Sequence, residues 1–309
     1  MNTEERSNRL LHITLSLLRR ERRLLVFHFV SAALFFVIWG FFLVPLLLEP
    51  TGYSLLSDAH WGAVLERFAA LSGNGSSAEG ANWPSRLEGV ATYVIAMLVE
   101  TFFQVAFYHE AKRALAGESV SVERGLRFAI SRWRAIASWS LFAGVVGWLI
   151  SEIESRVSWV GKLIMAGIGL AWSTASVFVI PVMVCEAKEN NPLKLVRSSS
   201  RALRQTWGEL IVGLVPVSIT LGLVLSVFTL IGCIAGLSGM IYLCTVYHLP
   251  YWIFALIGGL GFFVLMQPLF VLQSVVVGVY RCAMFIYATE GVIPDAFDQE
   301  LLDSGWQVK

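Results

Sequence analysis

Charge is what this chain has least of. Only 15% of its 309 residues are acidic or basic against 56% hydrophobic, and the mean hydropathy is +0.68. Soluble domains carry about 25% charged residues, and roughly half of a folded surface still has to meet water. A water-soluble fold could not hide this much apolar side chain. Cysteine is scarce too: Cys185, Cys233, Cys244 and Cys282 show no C-x-x-C spacing, which argues against a zinc site or a disulfide framework. A pairing of Cys233 with Cys244 on the outer side is the one left open. The histidines His12, His28, His60, His109 and His248 are scattered at no metal-ligand spacing. Phosphate-binding, zinc-protease, nucleophile-elbow and dinucleotide motifs are all missing. No catalytic residue, metal or cofactor is therefore expected, and no nucleic-acid partner.

What the chain does have is long apolar runs. A helix needs about 20 apolar residues to cross a hydrocarbon layer. Six segments qualify: Leu24–Leu48, Leu87–Tyr108, Ile136–Ile153, Val157–Val184, Leu210–Leu237 and Tyr251–Tyr287. Backbone polar groups in lipid must be satisfied internally, so such segments are helices or closed barrels, and these runs lack the alternation of barrel strands. The expected fold is an all-α polytopic bundle, a single membrane domain over residues 1–309. The last run is long and contains Pro268; one kinked helix is preferred over two short spans. Pro181 and Pro216 are expected to bend the fourth and fifth spans.

Orientation follows from the basic residues. Arg6 to Arg23 precede the first span; Lys112 to Arg134 lie between the second and third, and Lys188 to Arg204 between the fourth and fifth. Arg281 and Lys309 stand at the other end of the chain, so of 23 basic residues only Arg67, Arg86, Arg156 and Lys162 fall on the opposite side. Both termini are expected in the cytoplasm of a bacterial or archaeal cell. Glu49–Arg86 is then external, with an Asn74-Gly75-Ser76 sequon, and Leu24–Leu48 reads as an uncleaved signal anchor. Trp83, Trp159 and Trp252 form an outer aromatic belt in this scheme, with Trp133, Trp139 and Trp207 inside.

Two of the basic stretches are alike. Ser121 can cap a helix whose Val122, Leu126, Ala129, Ile130 and Trp133 share one face. About seventy residues on, Asn191 can cap a helix begun by Pro192, with Leu193, Val196, Ser200, Leu203 and Trp207 on one face. A basic amphipathic helix ahead of a span can lie among anionic head groups. Arg124, Arg127, Lys194, Arg197, Arg201 and Arg204 are the expected head-group ligands, and the bilayer the expected partner. With the N-terminal Leu10, Ile13, Leu17 and Leu24 doing likewise, the chain reads as three units of interfacial helix plus hairpin. "HEAK" at His109–Lys112 and "CEAK" at Cys185–Lys188 close two of the even-numbered spans.

The stretches "WVGKLIMAGIGLAWSTASVFVIPVMVCE", Pro192-Leu193, "SRALRQTWGE" and "YRCAMFIYATEGVIPDAF" resemble a family of six-span prokaryotic membrane proteins of unknown function. That family is distantly similar to the membrane domains fused to some glycerophosphodiesterases. The resemblance implies the same six-helix bundle and brings no activity with it.

Glu100 falls near the middle of the second span, where a charge costs on the order of 2.5–3.5 kcal/mol and usually faces a bundle interior. Tyr93, Met97, Glu100, Gln104 and Tyr108 share a helical face, and Gln267, Ser274 and Arg281 repeat along the last span. The candidate binding residues are therefore Glu100, Gln104, Tyr93, Gln267, Ser274 and Arg281. The expected function is a non-enzymatic, lipid-interacting membrane component. The alternative is a small-solute, ion or proton transporter built on the Glu100 stripe.

Overall fold

The computed structural model describes residues 3–55, 57–71, 83–186, 189–247 and 251–290. Among the described residues every regular element is a helix. They run α1 (Thr3–Arg20), α2 (Leu24–Leu48), α3 (Asp58–Leu71), α4 (Trp83–Leu115), α5 (Val122–Ser131), α6 (Trp133–Arg156), α7 (Trp159–Ala175), α8 (Val179–Cys185), α9 (Pro192–Tyr247) and α10 (Tyr251–Glu290). Six stretches are long and apolar enough to cross a membrane: Leu24–Pro45, Gly89–Leu115, Trp133–Arg156, Trp159–Cys185, Ser226–Leu243 and Val264–Glu290. The sequon at Asn74 and the tail beyond Glu290 lie outside the described residues, as do the side chains of Trp83, Trp207, Trp252 and Cys244.

Three features of the helices go beyond the sequence reading. The fourth span is broken: α7 ends at Ala175 and α8 begins at Val179. Pro181 explains this, because it has no N–H for the carbonyl of Val177 and its ring crowds that carbonyl. The basic stretch after Asn191 is not a separate interfacial helix but the start of α9, which continues for 56 residues. A change from polar to apolar composition does not oblige a helix to end. The segment between the first two spans also contains a helix of its own, α3. Pro268 lies inside the unbroken helix α10, so the last run is one helix. Cys233 and Cys244 both lie on α9, roughly 16 Å apart along its axis at 1.5 Å per residue, too far for a disulfide.

The chain divides into two compact units: Met1–Leu34, Ala96–Leu221 and Val271–Lys309 form the first, Phe35–Ile95 and Gly222–Phe270 the second. The first holds most of the core. Phe27, Phe107, Ile136, Phe178, Met183, Leu195 and Phe285 are fully buried there. Gly278 on α10 meets Phe107 on α4, with 2.6 Å between the ring and the place a Cβ would occupy. Trp139 stacks on Trp172 with ring centroids 6.0 Å apart and is buried in this core. It therefore packs α6 on α7 and takes no part in an aromatic belt; Trp133 and Trp159 are exposed.

In the second unit α3 is tied to the end of α2 and the segment after it. His60 Nε2 donates to the Leu47 carbonyl at 3.1 Å, which leaves Nδ1 to accept the Thr51 hydroxyl at 2.7 Å. Arg67 pairs with Glu49 at 3.2 Å. Gly232 lies against the Phe262 ring, whereas Gly236 has nothing near it.

Candidate functional site

Glu100 sits on α4 with both carboxylate oxygens occupied. Ser31 on α2 donates its hydroxyl to Oε2, and Gln104, one turn along α4, donates its amide to Oε1 at 2.8 Å. Glu100 also acts electrostatically on His28 of α2. The half-buried His28 ring meets Phe107 edge-on at 4.6 Å, and its Nδ1 is buried without a hydrogen-bond partner. Toward the end of α4, Arg281 of α10 lies against the buried Tyr108 side chain. The structure thus joins Glu100 to Gln104 and gives Arg281 a neighbour on the same α4 face. Ser274 is exposed, and Tyr93 and Gln267 belong to the second unit. Sequence reasoning missed Ser31 and His28. They stand three residues apart on α2, so they share a face, but one serine and one histidine in an apolar run give no signal alone.

The basic ends are built from buried polar pairs. Ser121 caps α5, its hydroxyl accepting from the Arg124 N–H. Glu110, at the end of the second span, is 0% exposed and takes Nε and a terminal nitrogen of Arg124 at 2.8 and 2.6 Å. It also accepts the Ser121 N–H at 2.7 Å. This pairing holds the Arg124 pKa above its ordinary value, chiefly through the Glu110 hydrogen bonds. Arg124 is thus bound to a protein carboxylate at one flank. Gly125 lets α5 approach so closely that a Cβ would stand 2.9 Å from Glu110 Cγ and from the Phe27 ring.

The second basic stretch repeats this plan. The Asn191 side chain accepts the Leu193 N–H at 3.0 Å, and the buried face carries Leu195, Ser199 and Ala202. In the first stretch it carries Gly125, Ala129 and Arg132, each seventy positions earlier. Of the face expected among acyl chains, Leu193, Ile130 and Trp133 are exposed, whereas Ala129 and Leu203 are buried. Ser199 enters the break in the fourth span. Its hydroxyl donates to the Ala175 carbonyl at 2.7 Å and accepts the Phe178 N–H at 3.0 Å. Both backbone groups lost their helical partners at the break, and one side chain serves them. Arg132 then ties the two stretches together, donating to the Glu189 carbonyl at 2.8 Å.

Of the expected head-group ligands, Arg197, Arg201 and Arg204 are exposed. Arg127 is 79% exposed and paired with Glu123, and Lys194 pairs with Glu189 at 3.2 Å. Glu189 accepts backbone N–H groups from Asn191 and Asn190 and lies beside Lys194, which holds its pKa below the usual carboxylate range. Among the described residues no group of three or more His, Cys, Asp or Glu side chains could hold a metal.

Six apolar helices of spanning length, with a core of closely packed helix crossings, define a multi-pass helical membrane protein. The chain belongs to a family of unknown function (DUF6159), whose model matches residues 90–294. That match takes in Glu100, Glu110 and both basic stretches and leaves out α1 to α3. No curated protein and no solved structure matches the chain.

Proposed function

We propose that this protein is a non-enzymatic membrane component that holds anionic lipid head groups at its basic end. The residence we assign is the cytoplasmic membrane of a prokaryote, with both termini inside. One observation carries the reading: large apolar side chains stand exposed on the helices that carry the basic residues. Ile130 is 61% exposed and Trp133 59% on the α5–α6 corner beside Arg127, and Leu193 is 63% exposed beside Lys194 and Arg197. An apolar side chain flanked by cations fits the acyl and head-group layers of an anionic leaflet. The test is retention of lipid by the full-length protein, read by native mass spectrometry after mixed anionic and zwitterionic lipid is offered. Preference for phosphatidylglycerol over phosphatidylcholine, lost when Arg127, Arg197, Arg201 and Arg204 are all changed to Gln, is the expected outcome. Equal retention of the two lipids by the unaltered protein would overturn it.

A second reading, passage of a small ion or proton, is favoured by the Ser31–Glu100–Gln104 contact inside the spans.

A further inference from the structure

We propose that the start of α9 holds a lipid head group with two phosphates joined by a short carbon bridge, on Arg197, Arg201 and Arg204. The inference rests on the lipid-facing reading above and deepens it, naming the class of head group and the helix that takes it.

The two basic stretches differ in what stands beside their cations. Seventy positions apart, Arg127 matches Arg197 and Arg134 matches Arg204, but Ser131 stands where the second stretch has Arg201. Arg127 is paired with Glu123, one turn before it, at 2.5 Å. The position equivalent to Glu123 is Leu193, which is 63% exposed. Arg134 lies over the Trp133 ring, its guanidinium carbon 5.7 Å from the centroid. From Pro192 to Gly208 the second stretch has no acidic residue. Glu189, just ahead of it, is taken by Lys194 at 3.2 Å and by two backbone N–H groups. Glu186 accepts the Ser198 hydroxyl at 3.3 Å. Among the described residues Arg197, Arg201 and Arg204 have no ion pair, and all three are exposed.

Their spacing, i, i+4 and i+7, sets them on one helical face with about 5–6 Å between successive Cβ atoms. Like charges at that spacing repel, and no carboxylate on this part of the helix relieves them. One phosphate fits the fork of one guanidinium. A three-carbon bridge separates two phosphates by a distance comparable with one helical turn, about 5.4 Å. A single head group can therefore meet Arg197 and Arg201 together, with Arg204 beside them. The second phosphate then binds without a second loss of translational freedom, which raises affinity with no new kind of contact. Leu195, Ser199 and Ala202 fix the opposite face of the helix in the core, so the arginines stand on a rigid support. Leu193 offers apolar surface to an acyl chain one turn before the first arginine, which favours a lipid over a soluble diphosphate.

The test is competition for the full-length protein, read by native mass spectrometry. Cardiolipin is offered against phosphatidylglycerol at equal phosphate, with phosphatidylcholine present throughout. Cardiolipin is expected to be retained over phosphatidylglycerol by about ten-fold or more. Arg201→Gln should bring the two close to parity, because Arg197 and Arg204 alone stand two turns apart. Leu193→Glu should lower the preference while leaving every arginine in place, by giving Arg197 the carboxylate that Arg127 already has. Parity in the unaltered protein, or a preference that both variants keep, would overturn the diphosphate site. If phosphatidylglycerol still exceeds phosphatidylcholine, that failure leaves the broader lipid reading standing. Equal retention of all three lipids ends both.

Discussion

The two basic stretches occupy equivalent places and are held in different ways. Each begins at a polar cap, Ser121 or Asn191, and each turns its fifth, ninth and twelfth residues inward, counted from the cap. In the first stretch the inward residues are Gly125 and Ala129, small enough to let α5 close on an intact α4, and a buried carboxylate grips the helix start. In the second they are Leu195 and Ser199, and the serine fills a gap in the span it meets. One junction relies on charge and close approach, the other on a hydroxyl that completes a neighbour's backbone. The lesson is that a repeated helix can keep its register while its contact chemistry is exchanged, provided the preceding span changes with it.

That comparison can be broken at either side. The largest effect is expected from Glu110→Ala, which strips a buried acceptor from Arg124 and from the Ser121 N–H. Losing one partner of a buried pair costs about 3–5 kcal/mol. Arg124 keeps one flank in solvent, which screens the pair, so a loss near about 3 kcal/mol is expected, read as thermal unfolding in detergent. Gly125→Val comes next: its side chain would meet Glu110, Phe27 and the Ala106 carbonyl, and overpacking of this kind costs about 1–3 kcal/mol. Leu195→Val at the equivalent position should be milder, since it shrinks a side chain and adds no clash.

Ser199→Ala follows, leaving the Ala175 carbonyl and Phe178 N–H buried without their partner, at about 1–2 kcal/mol. Ser200→Ala, one position on, should stay within about 0.5 kcal/mol. Equal losses at Ser199 and Ser200 would dissolve the distinction drawn between the two junctions. The smallest effect is at Glu189, which is held ionised in the fold. A depressed folded pKa gives stability that is present above the ordinary glutamate range and lost as pH falls through the lowered value. The difference in melting temperature between the unaltered chain and Glu189→Gln should therefore hold steady near neutrality and close in acid. A difference that widened in acid would contradict the assigned bonds.

Much of this was legible in the sequence, and the rest was hidden for identifiable reasons. Six apolar runs, the caps at Ser121 and Asn191, and the strain at Pro181 are local signals, and each appears in the structure. The inward residues of the basic stretches were not legible, because polar side chains such as Ser199 and Arg132 give no sign of burial in the sequence. A serine becomes a core residue only when unpaired backbone lies opposite it, and that is a property of the fourth span. Glu110 was not singled out, because its partner Arg124, fourteen residues on, reads as a head-group cation in the sequence. Of the candidate binding residues, Glu100, Gln104 and Arg281 gain neighbours that a single-helix stripe can indicate. His28 and Ser31 come from another helix, and only tertiary packing brings them in.

Ser199 also limits what can be done chemically to its run of three serines. Its oxygen is enclosed and engaged on both sides, so a kinase could reach it only after the start of α9 had swung away from the end of α7. Ser198 and Ser200 are only half-buried. Any phosphorylation of this run while the protein is folded must therefore fall on those two, and would place new negative charge among Arg197, Arg201 and Arg204 without disturbing the seal beneath them.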